Sequence, residues 1–206
     1  MFAPKLMGAA MLGALAMAAP AAAQDAGMSF FITSENPGQG ADLGGLEGAD
    51  AYCARLAEAA GATATTWRAY LSTSAENARD RIGTGPWVNA AGDTVAENID
   101  ALHAEENGLS KTASLNENGE VVNGRGDEPN RHDILTGSDL EGRLSGEACA
   151  DWTSSGEGSA MVGHHDRTGG GAHPESWNSA HPSKGCSLED LRGTGGDGLF
   201  YCFATE

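Results

Sequence analysis

Four of the six histidines fall in one stretch: His164 and His165 directly before Asp166, then His173 and His181. Loop histidines beside an aspartate are zinc-ligand chemistry, and a three-ligand site with one open position can hydrolyse a substrate. Their spacing matches neither HExxH nor the usual structural-zinc patterns, so they read as exposed loop histidines and hydrogen-bonded turn residues. His132-Asp133 stands a few residues before Ser138, the composition of a nucleophilic triad. No GxSxG elbow accompanies it, and His132 and Asp133 read instead as loop-shaping residues bonded to backbone groups. Glu105, Glu106, Glu117 and Glu120 lack the arrangement of an acid/base pair and read as a solvated face. Trp87, Trp152 and Trp177 would stack on sugar rings if exposed, but a chain with few aromatics tends to bury them. The expectation is a binding protein, not an enzyme.

Charge narrows what it binds. With 12 basic and 29 acidic side chains among 206 residues, the formal charge is −17. Such a polyanion is repelled by phosphate backbones, anionic lipid and heparin-like polymers, which excludes nucleic acid and membrane surfaces as charge-driven partners. Lys5, the apolar run from Leu6 to Ala19, Pro20 and then Ala21-Ala22-Ala23 follow the order of an export signal. Residues 1–23 are therefore expected to be a signal peptide cleaved before Gln24, with residues 24–206 forming one domain in the periplasm or outside the cell. The apolar run is too short to span a bilayer, and no membrane insertion is expected. Four cysteines, Cys53, Cys149, Cys186 and Cys202, are an even number without CxxC spacing, which in an oxidising compartment favours two disulfides. Three pairings remain open at this point.

The elements that must position these residues are clearest at the two ends. Residues 28–33 read as a strand and residues 46–60 as a helix, with Ala49, Cys53, Leu56, Ala57 and Ala60 on one face and Gly61 as its C-terminal stop. Residues 67–72 read as a second strand, Ser74 as the cap of a short helix through Arg81, and residues 86–96 as a hairpin followed by a helical turn at 98–103. Residues 105–133 and 154–198 read as long, ordered, glycine-rich loops, and residues 199–204 as the final strand.

Several phrases carry a family resemblance. Gly48-Ala49-Asp50-Ala51-Tyr52-Cys53, Trp67-Arg68-Ala69-Tyr70-Leu71-Ser72, Pro86-Trp87-Val88-Asn89, Thr136-Gly137-Ser138-Asp139 and Cys149-Ala150-Asp151-Trp152 occur in this order, ending with Gly185-Cys186 and Leu199-Phe200-Tyr201-Cys202. Together they resemble the endostatin domain of basement-membrane collagens. Residues 130–137 and 177–183 are similar to phrases of bacterial exported lectin-like and endostatin-like proteins. The resemblance implies an α+β C-type lectin-like fold: N- and C-terminal strands in one antiparallel sheet, an early helix, long loops, and nested disulfides Cys53–Cys202 and Cys149–Cys186. It also implies carbohydrate, or a cell-surface glycan, as ligand. Glu128-Pro129-Asn130 and Trp177-Asn178-Ser179 resemble the calcium-and-sugar motifs of those lectins, which makes Glu128, Asn130 and Asn178 the implied calcium ligands and Glu128, Asn130, Asp133, Trp177 and Asn178 the expected binding residues. Ser179 replaces an aspartate of that motif. Residues 24–47 contain no histidine for an endostatin-like zinc site, and the arginine-rich heparin surface is missing. The alternatives are a metal-dependent hydrolase using the loop from His164 to His181, or a structural or adhesion protein that binds another protein.

Overall fold

The computed structural model describes Met1 and residues 25–205, so residues 2–23 of the expected signal peptide lie outside the described residues. In chain order the elements are β1 (Phe30–Ile32), α1 (Gly45–Ala59), β2 (Trp67–Ala69), α2 (Ala78–Arg81), β3 (Trp87–Val88), β4 (Thr94–Ala96), α3 (Ile99–His103), β5 (Asp133–Leu135), α4 (Cys149–Trp152), β6 (Met161–His164), β7 (His181–Pro182), α5 (Leu188–Arg192) and β8 (Gly196–Ala204). The fold is mixed α+β. β3 and β4 pair as the expected hairpin, and the other strands form one sheet, β1-β8-β5-β6-β7, with β2 also on β8. Among the described residues, no helix is long and apolar enough to cross a membrane.

β8 is the spine. Its residues are buried throughout, and alternation sends Phe200, Cys202 and Ala204 to one core while Leu199, Tyr201 and Phe203 enter the other. A strand covered on both faces must be apolar without a break, which is why this segment is legible in the sequence. β1 and β2 flank it antiparallel, with Phe31 and Ala69 both opposite Cys202. β5, however, pairs with β8 in parallel. The sheet is therefore mixed and not wholly antiparallel as expected. The long chain between β5 and β8 supplies the crossover that a parallel neighbour requires.

α1 buries Ala49, Tyr52, Cys53, Leu56 and Ala57 against the sheet. It ends as the sequence indicates: Gly61, at φ 78°, lets its own N–H reach Glu58 O and that of Ala62 reach Ala57 O, both at 3.0 Å. Buried Asp50 braces the helix, its carboxylate accepting from Ala69 N (2.9 Å), both Arg81 Nη atoms (3.0 and 2.8 Å) and Arg68 Nη1 (2.9 Å). The disulfides are Cys53–Cys202, from α1 to β8, and Cys149–Cys186, within the loop half.

Four expectations are corrected. The second strand stops at Ala69, because Ser72 N bonds Thr136 O instead of continuing the ladder. The short helix begins only at Ala78, and Ser74 caps nothing; its N–H and hydroxyl both bond the Asp151 carboxylate. Glu117 is buried and accepts from Ser34 N at 2.9 Å, so it does not belong to a solvated face. The second long loop holds β6, β7 and α5, and β5 starts at the end of the first; these runs of two to five residues are too short to show a period.

Candidate metal centre

β5, β6 and β7 lie side by side, and their register assembles the site. Asp133 pairs with His164 across β5 and β6, and Val162 with His181 across β6 and β7. Side chains two apart on a strand share a face, so Asp133, His164 and His181 project to one side. His132, just before β5, stacks its ring on that of His164 with centroids 4.3 Å apart.

The imidazoles converge on one oxygen. Asp133 Oδ1 lies 3.1 Å from His132 Nε2, 3.3 Å from His164 Nε2 and 3.5 Å from His181 Nε2. The ligand atoms of His132, Asp133 and His164 all fall within 4.8 Å of one another. The side chains of His132, Asp133 and His164 are 6%, 1% and 0% exposed, and that of His181 is 21% exposed. The expectation of exposed loop histidines is overturned for His164 and His165, which are buried; of the four histidines in that stretch only His173 is exposed.

The opposite edge of each ring has a partner of its own. His164 Nδ1 meets Pro174 O at 2.7 Å, His181 Nδ1 meets Pro182 O at 3.0 Å, and His132 Nδ1 meets the Asp166 carboxylate at 3.4 Å. Carbonyl oxygens only accept, so His164 Nδ1 and His181 Nδ1 carry hydrogens, and each of these rings when neutral turns an Nε2 lone pair toward Asp133; His132 stands between two carboxylates, Asp133 and Asp166. A buried carboxylate and the His164 Nε2 thus face one another at 3.3 Å. Both Asp133 oxygens and His164 Nε2 are buried without a hydrogen-bond partner. Such an arrangement is costly unless a cation completes it.

Protonation responds accordingly. Burial alone would raise the Asp133 carboxyl, but the imidazoles of His164, His181 and His132 together hold it below the usual carboxylate range. Contact with Asp133 raises His181 above an ordinary histidine. For Asp166, burial is outweighed by His132 and the Arg125 N–H, and its carboxyl is held well below the usual range. Burial lowers His165, whose Nε2 donates to Asn123 O at 3.1 Å. His165 therefore stands beside the cluster as a neutral brace.

Of the five expected binding residues, Asp133 is the centre of this cluster, and it shapes a site instead of bonding backbone. Glu128 is exposed, and Asn130 caps the turn before the cluster by accepting from His132 N at 3.2 Å. Asn178 is buried, its amide donating to Tyr70 Oη (3.1 Å) and Asp139 O (3.0 Å) and accepting from Ser176 Oγ (2.9 Å). The ligand set implied for calcium is thus not what converges here, and imidazole nitrogens do not suit calcium, which takes oxygens. Trp177 is 3% exposed and packs on Tyr70 and Tyr201. Ser138, the hydroxyl nearest a triad reading, bonds Ser72 Oγ at 2.8 Å.

His164 and His181 belong to the loop that the sequence offered for metal, while His132 was read apart from it; the one sequence signal that joins His132 to His164 is that each stands at an end of a short β-like run, before Asp133-Ile134-Leu135 and after Met161-Val162-Gly163. A cleft of about 480 Å³ adjoins the centre, lined by Leu140, Arg167, His173, Glu175, Trp177 and Asn178 among others. Pro174, whose carbonyl holds His164, also lines it. No protein-family model matches the chain, and no curated protein is significantly similar to it.

Proposed function

We propose that the protein is an exported binding module of C-type lectin-like fold whose ligand is a divalent transition-metal ion, bound by His132, Asp133 and His164. The observation that carries this reading is that both Asp133 oxygens and His164 Nε2 are buried without a hydrogen-bond partner, with the ligand atoms of His132, Asp133 and His164 all within 4.8 Å of one another. Imidazole and carboxylate are donors for zinc and its neighbours. The charge of −17 favours cation capture, and two disulfides fit an oxidising compartment outside the cytoplasm. Elemental analysis after incubation with zinc and dialysis tests it: stoichiometric zinc is expected in the native chain and its loss in His164→Ala. A native chain that dialyses free of metal removes the reading.

A second reading, carbohydrate binding, is favoured by the placement of Trp177 and Asn178 in the wall of the adjoining cleft, whose volume of about 480 Å³ suits a small sugar. Glycan-array binding with and without chelator tests it. Silence on every glycan under both conditions eliminates it.

A further inference from the structure

We infer that the cleft beside the metal centre binds a free basic amino acid, its carboxylate on Arg167 and its two ammonium groups among the carboxylates of Glu105, Glu141 and Glu175. The inference is independent of the metal-binding reading above, and it gives the cleft a charged ligand where the second reading gives it a sugar.

Charge carries the argument. Glu105, Glu141 and Glu175 line the cleft, all three are exposed, and none of their carboxylates has an ion-pair or hydrogen-bond partner among the described residues. Two arginines reach these residues, but only at backbone oxygens: Arg79 Nη1 donates to Glu141 O at 2.9 Å and Arg167 Nη2 to Glu105 O at 2.8 Å. Arg167 itself lines the cleft and also donates from Nη1 to Asn107 Oδ1 at 3.0 Å. Both of its partners are neutral, and a guanidinium carries five N–H donors, so the fork keeps hydrogens and its whole charge for a ligand carboxylate. Burial holds His103, another lining residue, below the ordinary histidine range, so it adds no cation at neutral pH. Three carboxylates and one guanidinium, each without a counter-charge, complement a ligand with two cations and one anion.

The lining between these charges suits a methylene chain. Leu140, 39% exposed, and Pro174 supply apolar wall, and Trp177 packs against Tyr70 with ring centroids 4.7 Å apart. The stem of a basic side chain covers such surface while its charged head stays at the rim. Asn178 adds little selectivity, because its amide nitrogen already donates to Tyr70 Oη (3.1 Å), Asp139 O (3.0 Å) and Leu140 O (3.3 Å). Recognition therefore falls to the charged groups. A volume of about 480 Å³ lies within the ordinary range of small-molecule sites.

Isothermal titration calorimetry with L-lysine tests the inference, with chelator present so that metal plays no part. Lysine should bind the native chain. Norleucine, which lacks the side-chain ammonium, and lysinamide, which lacks the carboxylate, should each bind at least about tenfold more weakly, the loss expected for one charge-assisted contact. Arg167→Gln should weaken lysine about tenfold and leave lysinamide unchanged. Replacing Glu105, Glu141 and Glu175 together by Gln should abolish the preference for lysine over norleucine. Near-ultraviolet circular dichroism checks that the variants fold, and the ligand series on the native chain stands without them. A native chain that ignores lysine at millimolar concentration, or binds lysine, norleucine and lysinamide alike, overturns the inference, as does either folded variant that keeps the native preferences. A neutral sugar bound by a chain that ignores lysine overturns it in favour of the second reading.

Discussion

Three imidazole Nε2 atoms surround Asp133 Oδ1 at 3.1, 3.3 and 3.5 Å, and this governs the chemistry of the centre. Without metal, a proton is the available cation, and His181, raised above its ordinary value of 6.5, is the ring that takes it. Near that pH the metal-free protein carries the proton and zinc must expel it; well above, the ring is already neutral. Proton release on zinc binding should therefore decline as pH rises, measured by calorimetry in buffers of different ionisation enthalpy, and a release that does not decline contradicts the assignment. Asp166 acts through His132. In Asp166→Asn the amide oxygen still accepts but the charge is gone, and zinc affinity should fall about tenfold, the low end for loss of an outer-contact carboxylate, in competition titrations against a chromophoric chelator. The residue types needed for the centre were plain in the sequence. Their arrangement was not, because His132, His164 and His181 belong to three neighbouring stretches of sheet that no linear spacing brings together.

Short elements in the second half of the chain do the positioning, and their backbone shows it. Cys149, Ala150, Asp151 and Trp152, the residues of α4, all lie at φ between 47° and 66°, so this turn winds left-handed. It is tied down by the Cys149–Cys186 bridge, by Leu43 N on Trp152 O at 2.9 Å and by Ser74 on Asp151. Left-handed backbone costs a side-chain-bearing residue about 1–2 kcal/mol, against about 0.5–1 kcal/mol of extra chain entropy for glycine. Ala150 is exposed, so Ala150→Gly should stabilise the protein by about 0.5–1 kcal/mol in urea unfolding. Gly169 gives the opposite expectation, since a Cβ there would collide with His164 Cε1. Gly169→Ala should disturb the His164 ring and weaken zinc binding while the far-ultraviolet spectrum stays native. α1, the β3–β4 hairpin and α3 were legible because each has a period, a turn or a cap of its own, as Asn98 does by accepting from Ala101 N at 2.9 Å. β5, β6 and β7 have none, and their hydrogen bonds come from neighbours distant in sequence.

At the scale of the molecule, two bridges and one ion would divide the work of holding a loop-rich chain. The Cys53–Cys202 bridge closes 149 residues and Cys149–Cys186 closes 37. Chain-entropy reasoning assigns them about 5 and about 4 kcal/mol. The metal should add to this, with zinc at a hundredfold excess over its Kd raising stability by about 2.7 kcal/mol and chelator reversing the gain, read as a shift in thermal midpoint. A midpoint indifferent to zinc and to chelator would count against a resident ion.

By itself the sequence determined the anionic character, the paired-cysteine economy, the continuous apolar strand at the end and the amphipathic helix near the start, since composition and local period are properties of contiguous residues. Tertiary structure alone decided that β5 runs parallel to β8, that histidines read as loop decoration are buried, and that three of them face one carboxylate. Those outcomes depend on strand register between segments far apart in the chain, and register is set by the packing of both cores at once.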